Sequence, residues 1–139
     1  PGRNKTKQPL ARPLSRAALA LLDTQPRLAG VPYVFTVGDG PWTSFSVPKK
    51  LLDTAAGVAG WRLHDLRRTA RTLLSRAGIS ADIAEMCLGH ALGGIRGTYD
   101  RHAYEAEKRN AFEALAAQIE RIVHPPDDVV VPMKKARRK

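Results

Sequence analysis

Helical spacing of apolar residues between glycines is the feature that most constrains the fold of this chain. One segment keeps an apolar face until Gly78 ends it, through Leu63, Leu66, Ala70, Leu73, Leu74 and Ala77. Segments 47–56, 80–88 and 103–123 show similar spacing, and glycines stand at 57, 60 and 89 between them. This spacing predicts a mainly helical fold.

Residues 1–41 carry more mixed signals. Gln8–Leu14 is an extended stretch whose two prolines allow only an edge strand or a loop. Ser15 is placed to cap a helix that runs to about Asp23. Tyr33–Val37 is a short β-branched and aromatic run, and a turn signal follows it at residues 38–41. This part of the chain therefore predicts one helix and a little β structure.

Composition indicates one domain with a real core, because the chain has 139 residues, 43% of them hydrophobic. No run approaches the roughly 20 apolar residues that span a bilayer. Cys87 is the single cysteine, which excludes an internal disulfide framework and a cysteine metal cluster. Its apolar neighbours favour a small core residue, and cysteine usage favours a reducing cytoplasm.

A formal net charge of +10 points to polyanionic partners, because basic surfaces attract phosphates and release their counterions. Residues 134–139 hold five of the cations, so the rest of the chain still carries +5. A ribosomal-type protein or a membrane-surface protein would also be basic. The basic character thus belongs to the body of the chain as well as to its C-terminal end.

Four side chains between residues 64 and 99 could cleave a phosphodiester without a metal: His64, Arg67, His90 and Tyr99. Such cleavage needs a nucleophile, cationic hydrogen-bond donors and an acid for the leaving oxygen. His64 and Arg67 are three residues apart, which places both on one face of a helix. The two histidines are 26 residues apart without carboxylate or cysteine partners, so no metal site is predicted.

Three motifs resemble those of the tyrosine recombinase (phage integrase) family: His64-Asp65-Leu66-Arg67-Arg68-Thr69, Leu88-Gly89-His90, and Tyr99 nine residues after that histidine. The resemblance implies that Tyr99 is the nucleophile, that Arg67 clamps a phosphate oxygen and that His90 donates to the phosphate. It implies that His64 hydrogen-bonds the phosphate or assists proton transfer. Arg68, Arg71 and Lys7 are expected to be solvated or to touch the DNA backbone.

The family also carries a lysine on a β-hairpin turn, which protonates the leaving oxygen. Counting back from Pro13-Leu14 selects Lys5, and Lys7 is the alternative. The family's first catalytic arginine lies upstream of that hairpin, and nothing before Lys5 can supply it. The resemblance therefore implies part of a catalytic domain over residues 1–124, followed by a basic, disordered tail over residues 125–139.

Other aromatic and histidine residues are expected to have secondary roles. Tyr104 competes with Tyr99 for the nucleophile, but it falls on the predicted C-terminal helix. Tyr33 is expected in the core, and Trp42 and Trp61 are expected to pack against other residues. His102 is at most a neighbour of the site.

The patterns and the resemblance together predict a mainly α (α+β) fold, with a small antiparallel β remnant near the N-terminus. The implied function is site-specific DNA recombination through a 3′-phosphotyrosine. The full-length parent protein is expected to be a DNA breaking-rejoining enzyme, and this chain alone, as a fragment of it, is expected to be inactive. The expected partners are double-stranded DNA and other recombinase protomers, without membrane, metal or small-molecule cofactor, in a bacterial cytoplasm at the nucleoid. A non-catalytic DNA-binding remnant and a type IB topoisomerase are the alternatives.

Overall fold

A computed structural model describes residues 11–90, 94, 99–100 and 102–126. Its helices are α1 (Arg16–Asp23), α2 (Ser46–Ala56), α3 (Leu63–Arg76), α4 (Ala81–Leu88) and α5 (Glu105–Val123). A two-stranded antiparallel sheet pairs β1 (Thr36–Val37) with β2 (Gly40–Pro41). The predicted mainly α fold with a small antiparallel sheet is confirmed. Lys5, Lys7 and the predicted tail from residue 127 onward lie outside the described residues.

The sheet is shorter than the β-branched run predicted. Only Thr36 and Val37 of that run are in a strand, because residues 38 and 39 turn the chain back at once. The Thr36 hydroxyl lies 2.6 Å from the carbonyl oxygens of both Gly38 and Gly40, which closes the turn. Tyr33 was expected in the core, and this is wrong: it is 43% exposed, because no helix packs over this hairpin in the described part of the chain.

Local signals set most of the helix ends. The Ser15 hydroxyl accepts the Ala18 N–H at 3.2 Å and so caps α1, as predicted. Asp65 accepts the Arg62 backbone N–H at 2.8 Å at the start of α3, and this hydrogen bond lowers the pKa of Asp65. Gly78 and Gly89 follow α3 and α4 with φ of 77° and 79°, a conformation that glycine adopts without strain.

Helices α3, α4 and α5 pack on one another, and α1 packs on α5. Cys87 lies at the centre of this core, and burial raises the pKa of its thiol. The prediction that Cys87 is a core residue is therefore confirmed. The fully buried core residues are Leu74, Ala84, Cys87 and Ala111, with Ile79, Ile83, Phe112 and Leu115 packed around them.

The C-terminal helix begins two residues later than predicted, at Glu105. Tyr104 precedes it with φ of 50°, a left-handed conformation that is uncommon outside glycine. The helix therefore cannot continue through Tyr104 to Ala103. Among the described residues, no helix is long and apolar enough to cross a membrane.

Candidate phosphate-binding site

The site forms where the C-terminal end of α4 meets the exposed side of α3. The turn at Gly78 sends α4 back along α3, and Gly89 then ends α4 in a left-handed conformation. The His90 backbone N–H donates to the Glu85 carbonyl at 3.0 Å, which holds His90 against the last turn of α4. A side chain from α3 can therefore meet the His90 side chain just beyond the end of α4.

Arg67 of α3 makes that meeting. Its Nη2 atom donates to the Leu88 carbonyl oxygen at 2.6 Å and lies 2.7 Å from Nε2 of His90. The Arg67 side chain is half-buried, so its guanidinium is held by the protein rather than solvated freely. The structure thus brings together two of the residues that the sequence motifs predict as phosphate ligands.

Glu85 joins the same cluster from α4. One of its carboxylate oxygens accepts from Arg71 Nε at 2.7 Å, and the other bonds His90 Nδ1. These hydrogen bonds hold the pKa of Glu85 below its ordinary value, and the one from Arg71 has the larger effect. Arg71 also donates to the Ser75 hydroxyl at 2.5 Å. Arg71 is therefore tied into the cluster through Glu85 and anchored on α3 through Ser75.

Arg12 contributes another guanidinium from the segment before α1. Its Nε donates to the Cys87 carbonyl at 3.2 Å, and its Nη2 donates to the Leu88 carbonyl at 3.0 Å. Arg12 and Arg67 therefore share the Leu88 oxygen at the negative end of the α4 dipole. The cluster combines three guanidinium groups with one carboxylate, so it is electropositive around His90.

Two contacts with α5 hold the segment that carries Arg12. Lys108 of α5 is buried and donates to the Ala11 carbonyl at 3.2 Å. The Arg16 backbone N–H donates to the Glu113 carboxylate at 3.0 Å. Because residues on both sides of Arg12 are attached to α5, its guanidinium reaches the end of α4 from a defined direction.

No hydrogen bond joins the other predicted site residues to this cluster in the described part of the chain. His64 is exposed one helical turn before Arg67, on the same face of α3. Tyr99 is 83% exposed, and no hydrogen bond joins its hydroxyl to another described residue. Arg68 pairs with Asp65 at 3.4 Å. Lys5 and Lys7 fall outside the described residues, so their predicted roles stay predictions.

Tyr104, the alternative nucleophile, is occupied elsewhere. Its hydroxyl donates to the Asp100 carboxylate at 2.5 Å, and its ring packs edge-on against His102 with centroids 4.7 Å apart. The His102 backbone N–H also donates to Asp100, at 3.2 Å. Within the described ranges, no group of three His, Cys, Asp or Glu side chains is arranged to hold a metal ion.

Two members of the cluster, Glu85 and Arg12, are not indicated by the sequence motifs. Glu85 stands five residues before His90, beyond the i,i+4 spacing that brings side chains together on a helix, so the sequence pattern does not indicate their contact. Arg12 is 76 residues from Leu88, and no local signal indicates that contact.

Comparison with known proteins agrees with the motifs. The prophage integrase IntZ of Escherichia coli is 32% identical to the chain over 127 residues. The match takes in 86% of this chain but only 30% of the length of IntZ. This similarity supports a relationship to integrases. No protein-family model matches the chain, and no solved structure matches it significantly.

Proposed function

We propose that this chain is the C-terminal part of a tyrosine recombinase catalytic domain, and that the protein containing it performs site-specific DNA recombination. The observation that carries the proposal is the contact of Arg67 with His90, which brings residues from two of the motifs together at one point. The similarity to a prophage integrase supports the same reaction class, and with it DNA as the partner. Integration of a mobile element such as a prophage is the expected outcome.

In the proposed reaction, the scissile phosphate lies between Arg67 and His90, and His64 either hydrogen-bonds it or takes the phenolic proton. The Tyr99 oxygen attacks phosphorus, a 3′-phosphotyrosyl bond forms, and the bond to the 5′ oxygen breaks. Lys5 protonates the leaving oxygen. Arginine suits the clamp because its planar fork contacts two oxygens and keeps its charge. Reversal of the same steps with another 5′ hydroxyl rejoins the strands, so the phosphodiester energy is conserved.

Covalent trapping tests the proposal. The protein that contains this chain should be mixed with duplexes that carry its recombination site and a nick close to the cleavage position. The short cleaved strand then diffuses away, so the covalent protein–DNA adduct accumulates. Tyr99→Phe should abolish the adduct, because the nucleophilic oxygen is lost. Tyr104→Phe is the matched control and should still form it. An adduct that persists in Tyr99→Phe but disappears in Tyr104→Phe would assign the nucleophile to Tyr104 instead.

A non-catalytic DNA-binding remnant is the second candidate. It is favoured by the exposure of Tyr99 and by the lack of a hydrogen bond from its hydroxyl to other described residues. Salt-dependent DNA binding by the longer protein, without an adduct on any of the nicked duplexes, would select this alternative.

A further inference from the structure

We propose that Glu85, held by Arg71, is a positioning residue that fixes the tautomer of His90 and thereby couples phosphate binding at Arg67 to proton uptake by His90. The tautomer follows from the geometry alone. The coupling to phosphate rests on the proposed function, because it assumes that Arg67 and His90 receive a phosphodiester.

The contact between Arg67 and His90 shows which imidazole nitrogen carries the proton in this structure. A guanidinium has only donors and stays charged in proteins, so Nη2 of Arg67 must be the donor across the 2.7 Å contact. His90 Nε2 therefore accepts with its lone pair and carries no proton. A neutral His90 then has its proton on Nδ1.

Glu85 stabilises that same tautomer from the other side of the ring. Its carboxylate accepts the Nδ1–H of His90, and an ionised carboxylate can only accept. Arg71 holds the other oxygen of Glu85 at 2.7 Å, and Ser75 in turn accepts from Arg71. The hydrogen bonds that lower the pKa of Glu85 keep it ionised, so the carboxylate is a constant acceptor near neutral pH.

While His90 is neutral, this arrangement disfavours phosphate binding between Arg67 and His90. His90 presents a lone pair rather than a donor, and Nη2 of Arg67 is shared between Leu88 and His90. A proton on Nε2 would place two cationic donors face to face and break their contact. Both groups could then donate to one phosphate oxygen, so anion binding favours protonated His90 and protonation favours anion binding.

The charged groups around His90 agree with this coupling. Arg67 and Arg71 face it from α3, Glu85 faces it from its own helix, and Arg12 reaches Leu88 from the N-terminal segment. From α5, the positive charge of Lys108 acts electrostatically on Cys87, three residues before His90. Cations exceed carboxylates in this set, so a bound phosphodiester supplies the missing negative charge.

Imidazole ¹⁵N chemical shifts of the chain test the tautomer. At about pH 8, where an ordinary imidazole is neutral, His90 should carry its proton on Nδ1. Glu85→Ala should move it toward the Nε2–H form that free imidazole prefers in water. Glu120→Ala removes the glutamate that contacts His124, so it is the matched control and should leave His90 unchanged. A wild-type His90 in the Nε2–H form would overturn the proposal without any variant.

Dimethyl phosphate tests the coupling, because this diester does not titrate in the range used. Its affinity should fall about tenfold per pH unit as the pH rises through the range in which His90 is neutral without the anion, since one proton is taken up per anion bound. His90→Asn should bind more weakly and lose this dependence, whereas His124→Asn should keep it. Affinity independent of pH in the wild type would refute the coupling.

The two proposals fail separately. Loss of the covalent adduct with the predicted tautomer and pH dependence intact would contradict only the recombinase function. An adduct formed by a protein whose His90 is in the Nε2–H form would contradict only the role of Glu85.

Discussion

The α3–α4–α5 body and the segment from the hairpin through α2 differ in how they are held in place. The body buries Leu74, Ala84, Cys87 and Ala111, and the arginine–histidine cluster lies on its surface at the end of α4. In the described structure, neither the hairpin nor α2 packs against another helix, and apolar side chains such as Leu51 stay exposed. The candidate site therefore lies on the helices that share a buried core.

The hairpin–α2 segment does have local order. Lys49 bonds both oxygens of Asp53 one turn later on α2, and its ammonium lies 3.9 Å from the centre of the Trp61 ring. Gly57 ends α2 with φ of 64°. Such i,i+4 pairs and caps contribute a few tenths of a kcal/mol to about 1 kcal/mol each, far less than a shared core.

The largest expected difference between the two regions is in the effect of truncating a leucine. Leu74→Ala should lower the free energy of unfolding by about 3 kcal/mol, because it leaves a cavity among fully buried neighbours. Leu51→Ala on α2 should change it by less than about 0.5 kcal/mol, because Leu51 is 66% exposed. Urea denaturation of the two variants measures both. Equal losses would show that α2 belongs to the cooperative core.

Helix caps should show the same contrast at a smaller scale. Ser15→Ala removes the buried hydroxyl that caps α1, and should cost about 1 kcal/mol. Ser46→Ala in the first turn of α2 is the matched control, since α2 has no side-chain cap hydrogen bond, and should be close to neutral. The same denaturation curves test this pair, and a neutral Ser15→Ala would mean that α1 is held by its packing on α5 alone.

The smallest expected effect is a pH dependence of the free energy of unfolding, which Glu85 on α4 produces. The folded-state pKa of Glu85 is lower than its unfolded value, so its hydrogen bonds stabilise the fold above the unfolded pKa. That stabilisation is lost as the pH falls through the folded pKa. Glu85→Gln should therefore reduce the loss of stability in acid, which unfolding curves at a series of pH values would show. Because Glu85 is partly exposed, solvent screening keeps the effect small.

The helices could be predicted from the sequence because their signals are local. Ser15 begins α1 and Gly78 follows α3 as expected, since caps and turns depend on residues within one turn of the helix end. The strand prediction from Tyr33 to Val37 was too long, because pairing in a hairpin depends on where the chain turns. Tyr33 is exposed for a similar reason: its residue type favours burial, but burial requires another element to cover it.

The candidate site was only partly predictable. The spacing of His64, Arg67 and His90 suggested shared chemistry, and the structure brings Arg67 and His90 into contact. The spacing could not show that Glu85 orients His90, that Arg71 is committed to Glu85, or that Arg12 shares the Leu88 oxygen. The nucleophilic role of Tyr99 and the acid role of Lys5 remain predictions.

The amino-acid sequence by itself determined the helices, the basic charge and the set of side chains able to act on a phosphodiester, because each depends on composition or on neighbours along the chain. Only the tertiary structure decided which of those side chains touch. Arg67, His90, Glu85 and Arg12 meet because α4 folds back along α3 and α5 holds the N-terminal segment against them. Contacts across many tens of residues arise from packing, which no local signal encodes.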